Sequence, residues 1–167
     1  TVLFSCHFLE KSMDKQAIKK VLHRLYPDKN DKKVFIVSGA PGSGKSTYVQ
    51  KTRNADDLVV DMDLIAAALK GTPERHPQYR PVMDAALSAR EAIYSTIERR
   101  KGEWKTAFVI TSSPDASRVA ALAKRLNAEI VEMDTQKDEC VKRILEDDSR
   151  NDAKKDVALV EAWFSRK

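Results

Sequence analysis

A glycine-rich loop between a buried strand and a helix constrains this chain more than any other feature. Residues 34–37 read Val-Phe-Ile-Val, an apolar run typical of a strand that is buried on both faces. The next segment, Gly39-Ala-Pro-Gly-Ser-Gly-Lys-Ser46, matches G-x-x-x-x-G-K-[ST], the Walker A pattern, and a helix is predicted from Lys45 to about Arg53. Glycines let the loop point its N–H groups inward, and the positive end of the helix faces the same side. The sequence therefore predicts a phosphate-binding loop.

The loop supplies the candidate residues for binding ATP and Mg²⁺. We expect Lys45 to contact the β- and γ-phosphates and the Ser46 hydroxyl to ligate Mg²⁺. The candidate nucleotide-binding residues are Gly39, Ala40, Pro41, Gly42, Ser43, Gly44, Lys45, Ser46 and Thr47.

Predicted strands and helices alternate along the rest of the chain. The remaining strands are predicted at residues 58–60, 107–110 and 128–133. Helices are predicted at 12–26, 64–70, 82–100, from Pro114, from Thr135 and at 156–164. Asp63 is predicted to cap the helix at 64–70, and Ser113 the helix that starts at Pro114. Strands that alternate with helices are joined by crossovers, so the sheet is expected to be mainly parallel. We predict a three-layer α/β P-loop NTPase, and the resemblance of the glycine loop to that of the nucleotide kinases implies their strand order, 2-3-1-4. Val2-Leu-Phe4 is a candidate edge strand.

Length and composition predict one globular domain. The chain has 167 residues, 42% of them hydrophobic, and 30 Lys+Arg against 25 Asp+Glu give a net charge of +5. This basic excess is compatible with binding of an anionic ligand, and the alternative is a basic surface that only aids solubility. Two cysteines, Cys6 and Cys140, cannot form a disulfide framework, and no apolar run approaches 18 residues, so we expect a cytoplasmic protein without a membrane span.

The chain is expected to divide near residue 32. Residues 1–32 are interpreted as an N-terminal extension and helix, and residues 33–167 as the P-loop kinase-like domain. Because the first Met is Met13, residues 1–12 are interpreted as added or upstream sequence.

Two carboxylates follow the second predicted strand. Asp61 and Asp63 lie at the edge of the sheet where ligands of open α/β folds bind. Phosphoryl transfer to an alcohol needs a carboxylate that orients the hydroxyl and accepts its proton. Asp63 is a candidate for that role, and Asp61 is a candidate for supporting Mg²⁺ through water. The alternative for Asp63 is a plain helix cap.

The chain resembles the P-loop kinases related to polynucleotide kinases and zeta-type toxins, and it also looks like small ATP-binding proteins of phages. The resemblance covers roughly residues 33–150. It rests on the glycine loop, on Val-Val-Asp-Met-Asp63 and on Val131-Glu-Met-Asp-Thr-Gln-Lys-Asp-Glu-Cys-Val-Lys-Arg-Ile-Leu145. It implies that Asp63 is the catalytic carboxylate and that Arg143 and Arg150 belong to a lid that closes over the phosphates. The alternative for these arginines is a solvated, charged helix end.

Two positions depart from the resembled family. Ala66 stands where that family usually has an Arg for the acceptor phosphate, so Arg75, Arg80 or Arg90 would have to replace it. The third strand ends in Thr111 rather than in a Mg²⁺-orienting Asp. We therefore expect slow ATP hydrolysis, and binding without turnover is an open alternative.

The loop at residues 71–81 is a candidate acceptor-binding segment. It carries Arg75, His76, Tyr79 and Arg80, which suit a base or a sugar, and the alternative is a mobile, proline-rich connector. The histidines form no recognisable catalytic or metal-binding arrangement in the sequence.

The leading function is Mg²⁺-ATP-dependent phosphoryl transfer to a hydroxyl of a nucleic-acid end or a nucleoside-like molecule. The alternative is a phage-type ATP-binding or ATPase accessory protein of DNA metabolism, which would act through partner or nucleic-acid contact. An AAA+ motor is less favoured, because the sequence offers no separate helical lid domain and no assignable arginine finger.

Overall fold

Four parallel strands form one sheet in the computed structural model, which describes residues 14, 16, 31–77 and 79–166. The strands are β1 (Lys33–Ser38), β2 (Leu58–Val60), β3 (Thr106–Thr111) and β4 (Glu129–Glu132), in the order β2-β3-β1-β4. The predicted order 2-3-1-4 is confirmed. Because β1 lies between β3 and β4, the glycine loop that follows Ser38 leaves the middle of the carboxyl edge. The predicted edge strand at residues 2–4, and the helix at 12–26 apart from residues 14 and 16, lie outside the described residues.

Helices connect the strands and cover both faces of the sheet. None of the described helices is long and apolar enough to cross a membrane. They are α1 (Lys45–Thr52), α2 (Met62–Lys70), α3 (Met83–Glu98), α4 (Ala116–Leu126), α5 (Lys137–Leu145) and α6 (Ala153–Phe164), with a 3₁₀ turn at Arg80–Val82 before α3.

The alternation of side chains along β1 divides the core into two layers. Ile36 packs into a cluster with Ile97 of α3 and Leu126 of α4, whereas Val37 packs with Val49 of α1 on the opposite face. Successive residues of a strand point to opposite faces, so one apolar run serves both layers. Burial of each such side chain contributes about 1.5–3 kcal/mol to stability. The three-layer architecture is therefore confirmed.

A third apolar cluster ties the C-terminal helices to the glycine loop. Ile144 of α5 and Val160 of α6 are fully buried and share this cluster with Ala40. The strand before these helices, β4, forms the exposed edge of the described sheet, and Ile130 on it is 46% exposed. The highly charged segment after α5 carries no regular helix until Ala153, where α6 begins.

The helix caps differ from those predicted. Asp61, not Asp63, is the N-cap of α2, because its carboxylate accepts a hydrogen bond from the Asp63 N–H. Asp63 lies inside the first turn, so its carboxylate is free for other contacts. Asp115, not Ser113, caps α4, and its carboxylate accepts hydrogen bonds from the N–H groups of Ser117 and Arg118. The negative carboxylate suits the positive helix N-terminus.

Candidate functional site

Glycines give the phosphate loop a path that other residues could not follow at low cost. Gly42 and Gly44 have φ angles of 77° and 88°, in the left-handed region. A Cβ atom on Gly42 would also lie 2.5 Å from the carbonyl oxygen of Cys140 in α5. The loop therefore needs glycine at residue 42 both for its backbone angle and for its close approach to α5.

The segment that follows β4 supports the loop from the other side. The Met133 N–H donates to the carbonyl oxygen of Ser38 at 2.8 Å, and the Thr135 hydroxyl donates to that of Ser43 at 2.9 Å. The helix α5 begins at Lys137, after an extended Gln136, rather than at Thr135 as predicted. The resembled stretch from Val131 to Leu145 thus positions the phosphate loop.

Lys45 is buried beside the loop with its ammonium group on backbone oxygens. Its side chain and backbone together are 7% exposed, and Nζ donates to the carbonyl oxygens of Gly39 at 3.0 Å and Ala40 at 2.7 Å. Burial lowers the pKa of this ammonium to about 8, and the negative charges of Asp61 and Asp63 offset part of that effect. A phosphate group arriving at the loop would supply the counter-charge that the buried ammonium lacks.

Ser46 and Asp61, the two candidate metal-binding residues, lie together. The Ser46 hydroxyl donates to Oδ2 of Asp61 at 3.4 Å. Burial raises the pKa of the Asp61 carboxyl, and hydrogen bonds from the Asp63 N–H and from Ser46 offset part of the rise. Both groups are hard oxygen donors, the type that Mg²⁺ prefers when nucleotide and water complete its coordination. The described residues contain no group of three or more His, Cys, Asp or Glu side chains that could hold a metal ion.

Asp63 is bound by two side chains of the loop between α2 and α3. The Tyr79 hydroxyl donates to Oδ1 of Asp63, and Nδ1 of His76 lies 3.1 Å from Oδ2. The sequence was interpreted as giving this loop either an acceptor-binding role or a connector role, with no catalytic arrangement for His76. The contact between His76 and the candidate catalytic carboxylate was not predicted from the sequence.

The two candidate lid arginines occupy different settings. Arg143 in α5 donates to Oε1 of Glu139 at 2.8 Å, and one of its terminal nitrogens lies 3.4 Å from the carbonyl oxygen of Gly42. Arg150 is paired with Asp156 at 2.5 Å and with Asp147 at 3.4 Å, and its side chain is only 12% exposed. Arg143 is therefore already at the phosphate loop, while acidic neighbours hold Arg150.

Of the two positions that differ from the resembled family, Ala66 is buried and Thr111 is hydrogen-bonded within the protein. Ala66 is fully buried in α2, so the position is packed rather than open to a phosphate. The Thr111 hydroxyl at the end of β3 accepts a hydrogen bond from the Ser113 N–H. Within residues 31–77 and 79–166, no hydrogen bond or ion pair joins Arg75, Arg80 or Arg90 to Asp63.

Two of the residues that contact His76 were not predicted from the sequence. His76 also faces Asp147 through Nε2 at 3.3 Å, and its carbonyl oxygen accepts a hydrogen bond from Nδ2 of Asn151 at 2.6 Å. Asp147 and Asn151 lie more than 70 residues beyond His76 in the chain. No local pattern links such distant positions, so the only usable signal was the cluster of polar and aromatic residues in loop 71–81.

The parallel sheet, the glycine loop that leaves its centre and the buried Lys45 define a nucleotide-binding P-loop domain of kinase-like fold. Residues 34–163, more than three quarters of the chain, match the AAA_33 family, described as an AAA domain, and the chain belongs to that family.

One solved structure supports the same fold. A chain of the Pnkp1/Rnl/Hen1 RNA repair complex aligns with a TM-score of 0.55 at 16% sequence identity, over 81% of this chain and 46% of that one. This chain therefore spans about half the length of the chain it matches, and at such identity the likeness concerns the fold alone. No curated protein matches the sequence.

Proposed function

We propose that this protein transfers the γ-phosphoryl group of Mg²⁺-ATP to a hydroxyl of a nucleic-acid end or a nucleoside-like molecule. The observation that carries the proposal is the hydrogen bond from the Tyr79 hydroxyl to the Asp63 carboxylate. A kinase needs a carboxylate that can accept a hydrogen bond from an acceptor hydroxyl, and Asp63 accepts the phenol O–H of Tyr79 while making none of the phosphate loop's own hydrogen bonds.

Each loop residue has a role in holding the donor nucleotide. The inward N–H groups and Lys45 bind the β- and γ-phosphates, and Ser46 and Asp61 would hold Mg²⁺. The metal would neutralise charge on the phosphate oxygens and help to align the triphosphate of ATP. Lys45 would exchange its two backbone partners for phosphate oxygens, which relieves the cost of burying an ammonium group without a counter-charge.

The transfer step then uses Asp63 and the arginines. The acceptor oxygen attacks the γ-phosphorus while its proton passes to Asp63, and the bond between that phosphorus and the bridging oxygen of ADP breaks. Arg143, already at the phosphate loop, and Arg150, once released from its acidic partners, would stabilise the charge on the transferring group.

A second function has one specific observation in its favour. Thr111 ends β3 where a metal-orienting acid would favour turnover, and its hydroxyl accepts the Ser113 N–H. An ATP-binding or ATPase accessory protein, of the phage type that acts in DNA metabolism through partner or nucleic-acid contact, would tolerate this arrangement.

Labelled ATP and a panel of acceptors test the proposal. The panel holds 5′-hydroxyl RNA and DNA oligonucleotides and free nucleosides, and RNA is included because the structural neighbour belongs to an RNA repair complex. We expect the label to reach at least one acceptor. Asp63→Asn should lower the transfer rate by roughly 10²–10⁴-fold, because it removes the base, yet bind ATP about as tightly as the parent protein.

Asp61→Asn serves as the matched comparison, since it changes the neighbouring carboxylate that lies nearer to Ser46. This variant should need a higher Mg²⁺ concentration for the same activity, and its proton-transfer step should be less affected than that of Asp63→Asn. ATP binding without transfer to any acceptor would favour the accessory protein. Transfer by Asp63→Asn at the parental rate would refute the assignment of the base.

A further inference from the structure

Both oxygens of the Asp63 carboxylate are already occupied within the protein. Oδ1 receives the Tyr79 hydroxyl, and Oδ2 lies 3.1 Å from Nδ1 of His76. Hydrogen bonds to a charged carboxylate are among the stronger ones in proteins. An external alcohol that must donate to Asp63 would therefore compete with these two partners.

The loop that carries both partners is itself attached to the segment between α5 and α6. Nε2 of His76 faces Oδ2 of Asp147 at 3.3 Å, and the His76 carbonyl oxygen accepts a hydrogen bond from Asn151 at 2.6 Å. Asp147 in turn pairs with Arg150 at 3.4 Å. His76 thus connects the candidate base to the segment that holds a candidate lid arginine.

Tyr79 has the chemistry of an acceptor at this position. It presents a hydroxyl on an aromatic ring to the carboxylate that would orient an acceptor hydroxyl, and its side chain is half-buried. Burial, and then the hydrogen bond to Asp63, raise the pKa of the phenol well above its ordinary value. The phenol therefore keeps its proton and remains a donor to Asp63.

We propose that Tyr79 is a built-in occupant of the acceptor position, that His76 and Asn151 hold its loop in place, and that this loop must withdraw before an external hydroxyl reaches Asp63. The statement that Tyr79 occupies an acceptor position rests on the proposed kinase function, whereas the statement that Tyr79 covers Asp63 does not. When only a fraction of molecules can bind a ligand, the apparent affinity falls by that fraction. The closed loop would accordingly weaken acceptor binding and leave ATP binding unaffected.

Carboxylate labelling of the nucleotide-free protein tests the occlusion directly. The protein is treated with a water-soluble carbodiimide and glycine ethyl ester, and labelling of Asp63 is measured by peptide mass spectrometry relative to the exposed Asp56. In the parent protein we expect Asp63 to react far more slowly than Asp56. Tyr79→Phe, which keeps the ring and removes the hydroxyl, should raise the labelling of Asp63 about tenfold, as expected for loss of a hydrogen bond to a charged group.

Tyr48→Phe is the matched control. Tyr48 in α1 packs beside Val49 and Phe108, away from Asp63 in the contacts of the described residues, so this variant should label like the parent. Asn151→Ala tests the anchor independently and should raise Asp63 labelling by a smaller factor. Circular dichroism and melting curves establish that each variant is folded.

Two results would overturn the proposal. One is an Asp63 that reacts as fast as Asp56 in the parent protein, and the other is parental labelling in both Tyr79→Phe and Asn151→Ala. Because the assay contains neither ATP nor acceptor, its outcome is separate from failure of the acceptor panel. Where the panel identifies an acceptor, Tyr79→Phe should also lower its KM about tenfold with the Kd for ATP unchanged, and an unchanged or raised acceptor KM would contradict the occupant role.

Discussion

Lys45 shows how one buried charge links the phosphate loop to pH. The residue is surrounded by backbone carbonyls rather than by a close carboxylate, and burial lowers the pKa of its ammonium to about 8. Only the protonated form can pair with phosphate. Bound phosphates favour that charged form, so nucleotide binding should raise the Lys45 pKa and couple binding to proton uptake.

The first prediction follows from the sign of this coupling. Below pH 8 the free protein already carries the proton, so ATP affinity should be nearly constant with pH. Above pH 8 the free protein must first gain a proton, so affinity should fall by up to tenfold per pH unit until the pKa of the complex is reached. Calorimetry at pH 7 and pH 9, in buffers of different ionisation enthalpy, measures both the affinity and the protons taken up.

Lys45→Ala provides the reference for this measurement. It should bind little ATP at any pH and lose most of the nucleotide-induced rise in melting temperature that the parent shows. Equal ATP affinity and no proton uptake for the parent protein at pH 9 would show that Lys45 does not titrate in this range.

At the scale of the elements, the phosphate loop depends on α5 as much as on its own glycines. Gly42 lies against the backbone of Cys140, and the Ile144 side chain is the next neighbour that an added Cβ would meet. The loop and α5 thus form one packed unit, joined also by the apolar cluster that contains Ala40. Because of this packing, we expect a change in α5 to alter the phosphate loop although the two are distant in the sequence.

Gly42→Ala and Gly71→Ala separate backbone strain from this contact. Both glycines have φ in the left-handed region, but a Cβ atom at Gly71 has nothing within 4 Å. Gly71→Ala should lower the melting temperature by about 2–4 °C, from about 1 kcal/mol of strain, with ATP binding retained. Gly42→Ala should lower it further and weaken ATP binding at least about tenfold, because α5 and the loop must separate. Thermal melts and ATP titrations of both variants decide this, and similar results for the two would argue against the contact.

At the scale of the whole molecule, the basic excess includes two exposed arginines between α2 and α3. Arg75 and Arg80 flank the segment that contacts Asp63, on a chain with a net charge of +5. If the acceptor is a nucleic acid, these side chains are suited to its phosphates, which lie outside the nucleotide loop.

Salt dependence tests that placement. Oligonucleotide affinity should fall steeply with salt, and Arg75→Ala or Arg80→Ala should each weaken it and reduce the log–log slope by about 0.7 per lost contact with a single strand. Arg99→Ala is the control, because this exposed arginine precedes β3 at the opposite edge of the sheet. Fluorescence anisotropy at several salt concentrations measures the effect. Absence of oligonucleotide binding at low salt would point instead to a small-molecule acceptor or to the accessory protein.

The sequence by itself determined the sheet and the phosphate loop, because both depend on short-range properties. The apolar runs at 34–37 and 107–110 identify strands buried on two faces, and Gly42 and Gly44 supply the left-handed angles before a helix starts. Sequence reasoning was less reliable at helix ends. Neighbouring Asp and Ser residues are all suitable for the same N-cap position. The predicted N-caps were Asp63 for α2 and Ser113 for α4, whereas the structure has Asp61 and Asp115.

Only the tertiary structure decided which groups surround Asp63. His76 is 13 residues from Asp63 and 71 from Asp147 in the sequence, yet it contacts both side chains. No hydrophobic periodicity in the sequence indicates either contact. The same holds for Arg150, whose acidic partners depend on the turn before α6. Loop residues are placed by the sum of many weak polar contacts, whereas strands follow from burial of apolar side chains, which a sequence pattern records directly.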